Sequence, residues 1–331
     1  MIDPNEDLIV MYHYIWPDSK AVPGGIRPML VSQFEKQLDW LSERYEIVNA
    51  DEFLMRCSGG AGVPPAFGRW HGRPARGRCE AENTGGTPVP PERPRCLLTF
   101  DDATRDHAEI VTPILLRRNL SGVFFAIQNP SEGILPLTHA AHWLLSDDDE
   151  RVWKFFVDEI PVDQLGDEIE AKRIYHYESA VRARVKYAIN FALDEQSVRR
   201  VLSKLARGRD IELDQLARDW FASPKQLRSM HDSGLTIGVH ARTHRSLKAI
   251  GGEEMAREIE SCTNWLTNLL SEKPRWFACP FGGVGASDSD VERMQRAIRE
   301  NGLMAAVSTV SSSVPQNANR FALPRVDCVS I

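Results

Sequence analysis

The residues in this chain best suited to chemistry are a carboxylate pair and a histidine pair. Asp101 and Asp102 directly follow the apolar run CLLTF at 96–100. A pair at the end of a strand sends its two side chains in different directions. One can then bind a metal while the other faces the reacting atom as a base. The alternative is a solvated turn or a helix cap. His240 and His244 stand in LTIGVHARTHRSL, where an apolar run leads into His240. If the chain turns helical there, positions i and i+4 share one face, and two imidazoles can bind one cation. The alternative is one core histidine beside one exposed one. Gly238 lets the backbone pack closely near this pair. One carboxylate and two histidines leave open positions on Zn²⁺ or a similar divalent ion. The second carboxylate is the base such a hydrolase needs, and the metal lowers the pKa of its bound water to about 7.

Other chemistries lack their patterns. There is no G-x-x-x-x-G-K-[ST], no G-x-G-x-x-G after a strand and no G-x-S-x-G elbow. The six cysteines are widely spread with no C-x-x-C pair, so they read as free, mostly buried thiols. Cys279, beside Pro280, is either a small packing residue or an oxidation-sensitive thiol. His139 and His142 lie three apart in LPLTHAAHWLL, on an expected helix that also holds Trp143. They read as core or substrate-lining residues, with a second metal site as the alternative.

Elements that could position these groups follow from the hydrophobic pattern. Strands are expected at 7–15, 47–49, 96–100, 122–127, 235–239, 276–279 and 304–310. Helices are expected at 32–44, where Phe34, Leu38 and Leu41 share a face, and at 106–118, 252–270 and 288–301. Strand alternating with helix implies right-handed crossovers and a parallel sheet, open or closed into a barrel. Reactive groups in such folds sit at the carboxyl ends of the strands.

The 331 residues suit one α/β domain spanning the chain, with two interruptions. In the segment 57–95, 15 of 39 positions are Gly or Pro, and it reads as a flexible insertion of low order. Its arginines could form a basic arm, but Glu80, Glu82 and Glu92 dilute them. The segment 147–224 reads as a helical insertion. Lys and Arg total 40 against 46 Asp and Glu, so no basic excess points to nucleic acid. No apolar run approaches the roughly 18 residues of a membrane span. The first residues lack the basic-then-apolar pattern of a secretory signal, so a cytoplasmic location is expected.

Three motifs in order carry a family resemblance. They are Thr99-Phe100-Asp101-Asp102, His240-x-x-x-His244 and Phe277-Ala278-Cys279-Pro280-Phe281-Gly282. Together they resemble the polysaccharide deacetylases, the NodB-homology family or carbohydrate esterase family 4. The likeness runs from Met11-Tyr12-His13 to Leu323-Pro324-Arg325, outside the two insertions. It implies a distorted (β/α) barrel of about seven strands. It also implies metal-dependent hydrolysis of an N-acetyl, less often O-acetyl, group on a sugar. Carried over, Asp101 is the catalytic base, and Asp102, His240 and His244 are the metal ligands, with Zn²⁺ the first choice of ion. Pro280 and Phe281 form the groove wall, and the Phe281 N–H helps hold the oxyanion.

The chain departs from the family pattern in three places. Ala103 stands where Gly usually follows the Asp pair. Ala278 stands where an arginine usually orients the base; Arg325 could supply that charge from another strand, or serve in a structural ion pair. No histidine follows His244 in the chain, so the usual general acid is absent. His13 is the candidate replacement, with a hydrogen-bonded core histidine as the alternative. The expected partner is a carbohydrate, and a cytoplasmic location suggests an activated or lipid-linked sugar in surface-polysaccharide biosynthesis. A catalytically impaired sugar-binding or scaffolding relative is the alternative, and a small-amide hydrolase fits the same centre.

Overall fold

The computed structural model describes residues 3–22, 25–57, 93–145, 149–208 and 211–331. Its strands are β1 (Leu8–Tyr12), β2 (Ile15–Trp16), β3 (Met29–Leu30), β4 (Glu46–Ile47) and β5 (Arg95–Phe100). They continue as β6 (Val123–Ala126), β7 (Thr236–Val239), β8 (Trp276–Ala278), β9 (Ala305–Val307) and β10 (Val326–Asp327). The main sheet runs β10-β1-β5-β6-β7-β8-β9, with β4 paired to the start of β5. Every pairing in it is parallel. β2 and β3 form a separate two-stranded ribbon. Val307 of β9 also bridges Leu323 in parallel, so the segment leading into β10 lies beside β9 and curls the sheet toward closure. This is the distorted, seven-stranded (β/α) barrel expected from the motifs.

Parallel strands covered on both faces read as continuous apolar runs, and β1 (LIVMY) and β6 (VFFA) are buried throughout. Alternate residues serve two cores. Val10, Leu98, Phe100 and Phe124 face outward under helices that contribute Phe34, Leu38, Ile114 and Met255. Ile9, Leu97, Val123, Phe125 and Trp276 fill the barrel interior. The site is built above this second set.

Local departures from the expected pattern have physical causes. The run 7–15 breaks after Tyr12, which releases His13 from the sheet before β2 begins. The expected helix at 106–118 opens as a π-helical turn, His107–Val111, before the α-helix Thr112–Arg117. The helix expected at 252–270 starts earlier and spans Leu247–Leu270, across a break where Gly251 takes φ +74°. Residues 240–246 are not helical, so the two histidines do not share a helix face: Ser246 caps the helix only after His244.

Between β6 and β7 the chain forms a run of helices, among them Leu137–Leu144, Asp149–Glu159, Ala180–Tyr187 and Glu195–Arg207. They share a core of Leu144, Val152, Phe156, Ile189 and Val201, separate from the barrel. The low-order segment expected at 57–95 lies outside the described residues except at its ends. Cys96, Cys262, Cys279 and Cys328 are buried free thiols. No helix among the described residues is long and apolar enough to cross a membrane.

Candidate active site

Asp101 leaves the carboxyl end of β5 with its backbone N–H donated to the Tyr12 carbonyl at 2.9 Å. The side chain is buried and meets Arg325 in a two-pronged ion pair. Nη1 lies 2.7 Å from Oδ1 and Nη2 lies 2.8 Å from Oδ2. Arg325 is itself buried and its Nε–H donates to the Ser308 carbonyl at 2.9 Å, which fixes the fork. Burial alone would raise the Asp101 pKa. The Arg325 charge and the nearby His240 outweigh it, and the carboxyl is held below its ordinary range. The arginine that Ala278 does not provide therefore arrives from the segment before β10.

Asp102 and Ala103 both take the left-handed backbone, at φ +76° and +50°. Aspartate tolerates that region, whereas alanine does so at a cost of roughly 1 kcal/mol that glycine would avoid. The strained turn is held from outside. Thr104 bridges Phe221, and the Ala222 N–H donates to the Ala103 carbonyl at 3.0 Å. The end of the helical region thus clamps the turn that aims Asp102.

His240 stands just beyond β7, its N–H bonded to the Ala126 carbonyl. Two residues earlier, Gly238 is required: a Cβ there would lie 2.6 Å from the Phe125 ring inside the barrel. The His240 Nδ1–H donates to the Ala278 carbonyl at 2.8 Å, which turns Nε2 inward. His244 reaches the same point from a loop residue at φ +62°. Asp102 Oδ1 lies 3.4 Å from His240 Nε2 and 3.3 Å from His244 Nε2. The three ligand atoms fall within 4.8 Å of one another, and all three residues are buried. Asp102 Oδ1 has no hydrogen-bond partner. A desolvated, unpartnered carboxylate oxygen facing two imidazole nitrogens is the donor set of a divalent cation. These residues fit the group that the family implies.

Three imidazoles set the electrostatics around Asp102. Burial would raise its pKa, but His139, His240 and His244 overcome that and hold it well below the ordinary range. Burial pulls both histidines toward the neutral form. At His240 the two carboxylates win and its pKa rises; at His244 burial wins and pushes it to about 3.

The other expected site residues lie around this point. His13 Nε2 is 3.9 Å from Asp101 Oδ2, on a side chain 44% exposed. Its carbonyl accepts a hydrogen bond from His107 Nε2. Pro280 is buried, and Phe281 takes a left-handed backbone at φ +56°. The Phe281 ring meets His244 edge-on at 5.1 Å and Phe191 at 5.3 Å.

Sequence reasoning missed one member. His139, fully buried on the helix Leu137–Leu144, places Nε2 3.1 Å from Asp102 Oδ2. Its spacing from His142 pointed to a helix face and not to Asp102. Nothing in LTHAAHWLL signals that partner.

The profile of the polysaccharide deacetylase family matches residues 190–304, a span that includes both histidines and the Pro280-Phe281-Gly282 turn. No curated protein sequence matches the chain. Among solved structures, the fold is similar to Streptococcus pyogenes deacetylase PplD in complex with acetate. That match has 14% identity and a TM-score of 0.55, covering 98% of this chain and 93% of that one. It is also similar to IcaB from Ammonifex degensii, at 14% identity and TM-score 0.53, covering 97% and 91%. The deacetylase domain of BpsB from Bordetella bronchiseptica matches at 12% identity and TM-score 0.50, covering 99% and 97%. At these identities the likeness is one of fold.

Proposed function

We infer that this chain, of the polysaccharide deacetylase family by its motifs, its matched segment and its fold, is a carbohydrate deacetylase that uses a divalent metal to hydrolyse an N-acetyl group. The observation that carries the metal reading is Asp102 Oδ1, buried, unpartnered and facing His240 and His244. A cation held there, Zn²⁺ first among the candidates, supplies Lewis acidity toward the acetyl carbonyl and a water of lowered pKa.

The chain's own groups do the rest. Asp101 stays ionised at neutral pH beside Arg325 and takes the proton of the attacking water. Arg325 holds that carboxylate in one orientation. The Phe281 N–H donates to the oxyanion of the tetrahedral intermediate, and Pro280 shapes the wall beside it. His13, near Asp101 and open to solvent, protonates the leaving amine. The substrate we propose is an N-acetylated carbohydrate, either a polysaccharide or an activated or lipid-linked sugar, in surface-polysaccharide biosynthesis.

The test is acetate release from N-acetylated amino-sugar oligomers. Release should vanish with a chelator, return with Zn²⁺ or Co²⁺, and be lost in Asp101→Asn. Tight glycan binding without turnover by the metal-loaded chain would instead establish a non-catalytic sugar-binding relative.

A further inference from the structure

The two oxygens of Asp102 have different partners. Oδ1 faces His240 and His244 at 3.4 and 3.3 Å, whereas Oδ2 faces His139 Nε2 at 3.1 Å. His139 is absent from the set of groups whose ligand atoms all lie within 4.8 Å of one another. It approaches the other oxygen of the carboxylate, beside the His244 ring at 5.6 Å between centroids. Its place is built from several elements. Phe221 packs edge-on against its ring at 4.8 Å, and Tyr14 does so at 6.3 Å. The Tyr14 hydroxyl is in turn bonded to His142 Nδ1 at 3.2 Å, one helical turn on. Neither ring nitrogen of His139 has an aligned hydrogen-bond partner: Nδ1 is buried among the rings, and Nε2 lies 3.1 Å from Asp102 Oδ2 without meeting it head-on. A proton on Nε2 needs only a small turn of the ring to meet Oδ2, 3.1 Å away, and Nδ1 then faces the aromatic rings.

We propose that His139 is a positioning residue of the metal centre: its Nε2–H donates to Asp102 Oδ2 and holds the carboxylate as a one-oxygen ligand through Oδ1. The inference rests on the reading that Asp102, His240 and His244 hold a metal. Without the donor, the carboxylate on its strained turn can rotate, offer both oxygens or withdraw, and the ligand is less well placed. Outer partners of this kind commonly govern metal affinity by about 10–100-fold. His139 touches neither substrate nor ion, so its effect runs through Asp102.

The experiment measures Zn²⁺ affinity of the full chain by competition with a chromophoric chelator, together with the melting temperature of each metal-free variant. His139→Phe keeps the ring volume among Phe221 and Tyr14 but removes the donor; His139→Gln keeps an N–H donor. The expected result is a 10–100-fold loss of affinity in His139→Phe and affinity within about threefold of the wild type in His139→Gln. Should His139→Phe not fold, His139→Ala takes its place with the same expectation. Affinity in a folded His139→Phe within twofold of the wild type would overturn the proposal. So would an equal loss in the Phe and Gln variants. His240→Ala separates the two readings. Zn²⁺ binding that His240→Ala leaves unchanged overturns the metal centre and this inference with it. Binding lost in His240→Ala but kept in His139→Phe overturns the inference alone.

Discussion

Arg325 and Asp101, 224 residues apart in the chain, meet as a buried two-pronged ion pair at 2.7 and 2.8 Å. Both side chains are almost wholly inaccessible, and the Phe125 ring lies below the guanidinium at 5.8 Å. Removing one partner of such a pair leaves an uncompensated buried charge, which costs about 3–5 kcal/mol. Arg325→Met should therefore lower stability by about that amount in denaturant unfolding. It should also cut acetate release by roughly 10²-fold, because the base loses its orientation. The double variant Asp101→Asn/Arg325→Met should be less destabilised than the sum of the single changes. Additive losses would show that the pair does not act as a unit. Arg325→Lys cannot reproduce the fork and should fall between wild type and Arg325→Met.

The fate of Ala278 shows what the sequence made legible and what it did not. Strand-end placement of Asp101, Asp102 and His240 was readable, because a parallel sheet delivers such groups to one rim. Arg325 could be named as a substitute for the missing arginine, but not assigned, since its contact depends on how the sheet curls to bring β10 beside β1. For His244 the spacing left the local structure open: a helix would have put it on one face with His240, whereas the chain brings it there from a left-handed loop residue. His139 was beyond reach for another reason. Its contact with Asp102 depends on how a helix between β6 and β7 folds back over the rim, and no short-range pattern encodes that return. Ala103 shows the converse. A residue that disfavours the turn is tolerated because Phe221 and Ala222 hold the turn from a distant segment.

Glu258 makes the loop before His244 sensitive to pH. It is buried on the helix Leu247–Leu270 and accepts from the Thr243 N–H at 3.1 Å and from the Thr243 hydroxyl. Burial raises its pKa, the Thr243 bonds oppose this, and the nearby Glu254 and Glu195 add to the rise. A carboxyl whose folded pKa lies above its unfolded value favours the native state most when protonated. Its contribution is therefore fully present below the unfolded pKa of about 4.3 and is lost as pH rises through the folded pKa. Glu258→Gln keeps an acceptor for Thr243 and removes the charge. Relative to wild type, this variant should gain stability as pH rises from about 4 to 7. Melting temperatures across that range would show it, and a constant difference between the two proteins would rule the explanation out.

His13 is where catalysis and metal binding should come apart. Its imidazole lies 3.9 Å from Asp101 and is 44% exposed, so trimming it opens no internal cavity. What holds the segment there is the His13 carbonyl, bonded to His107 Nε2, and a main-chain group survives substitution. His13→Ala should accordingly keep both its fold and its metal. If this imidazole protonates the leaving amine, kcat for acetate release should fall by roughly 10²–10⁴-fold, the usual contribution of a positioned acid. Metal content and melting temperature should match the wild type. The KM should change much less than kcat, because the lost interaction belongs to the transition state. Metal loss accompanied by unfolding would make His13 a structural histidine, and an unchanged kcat would return the role of acid to another group.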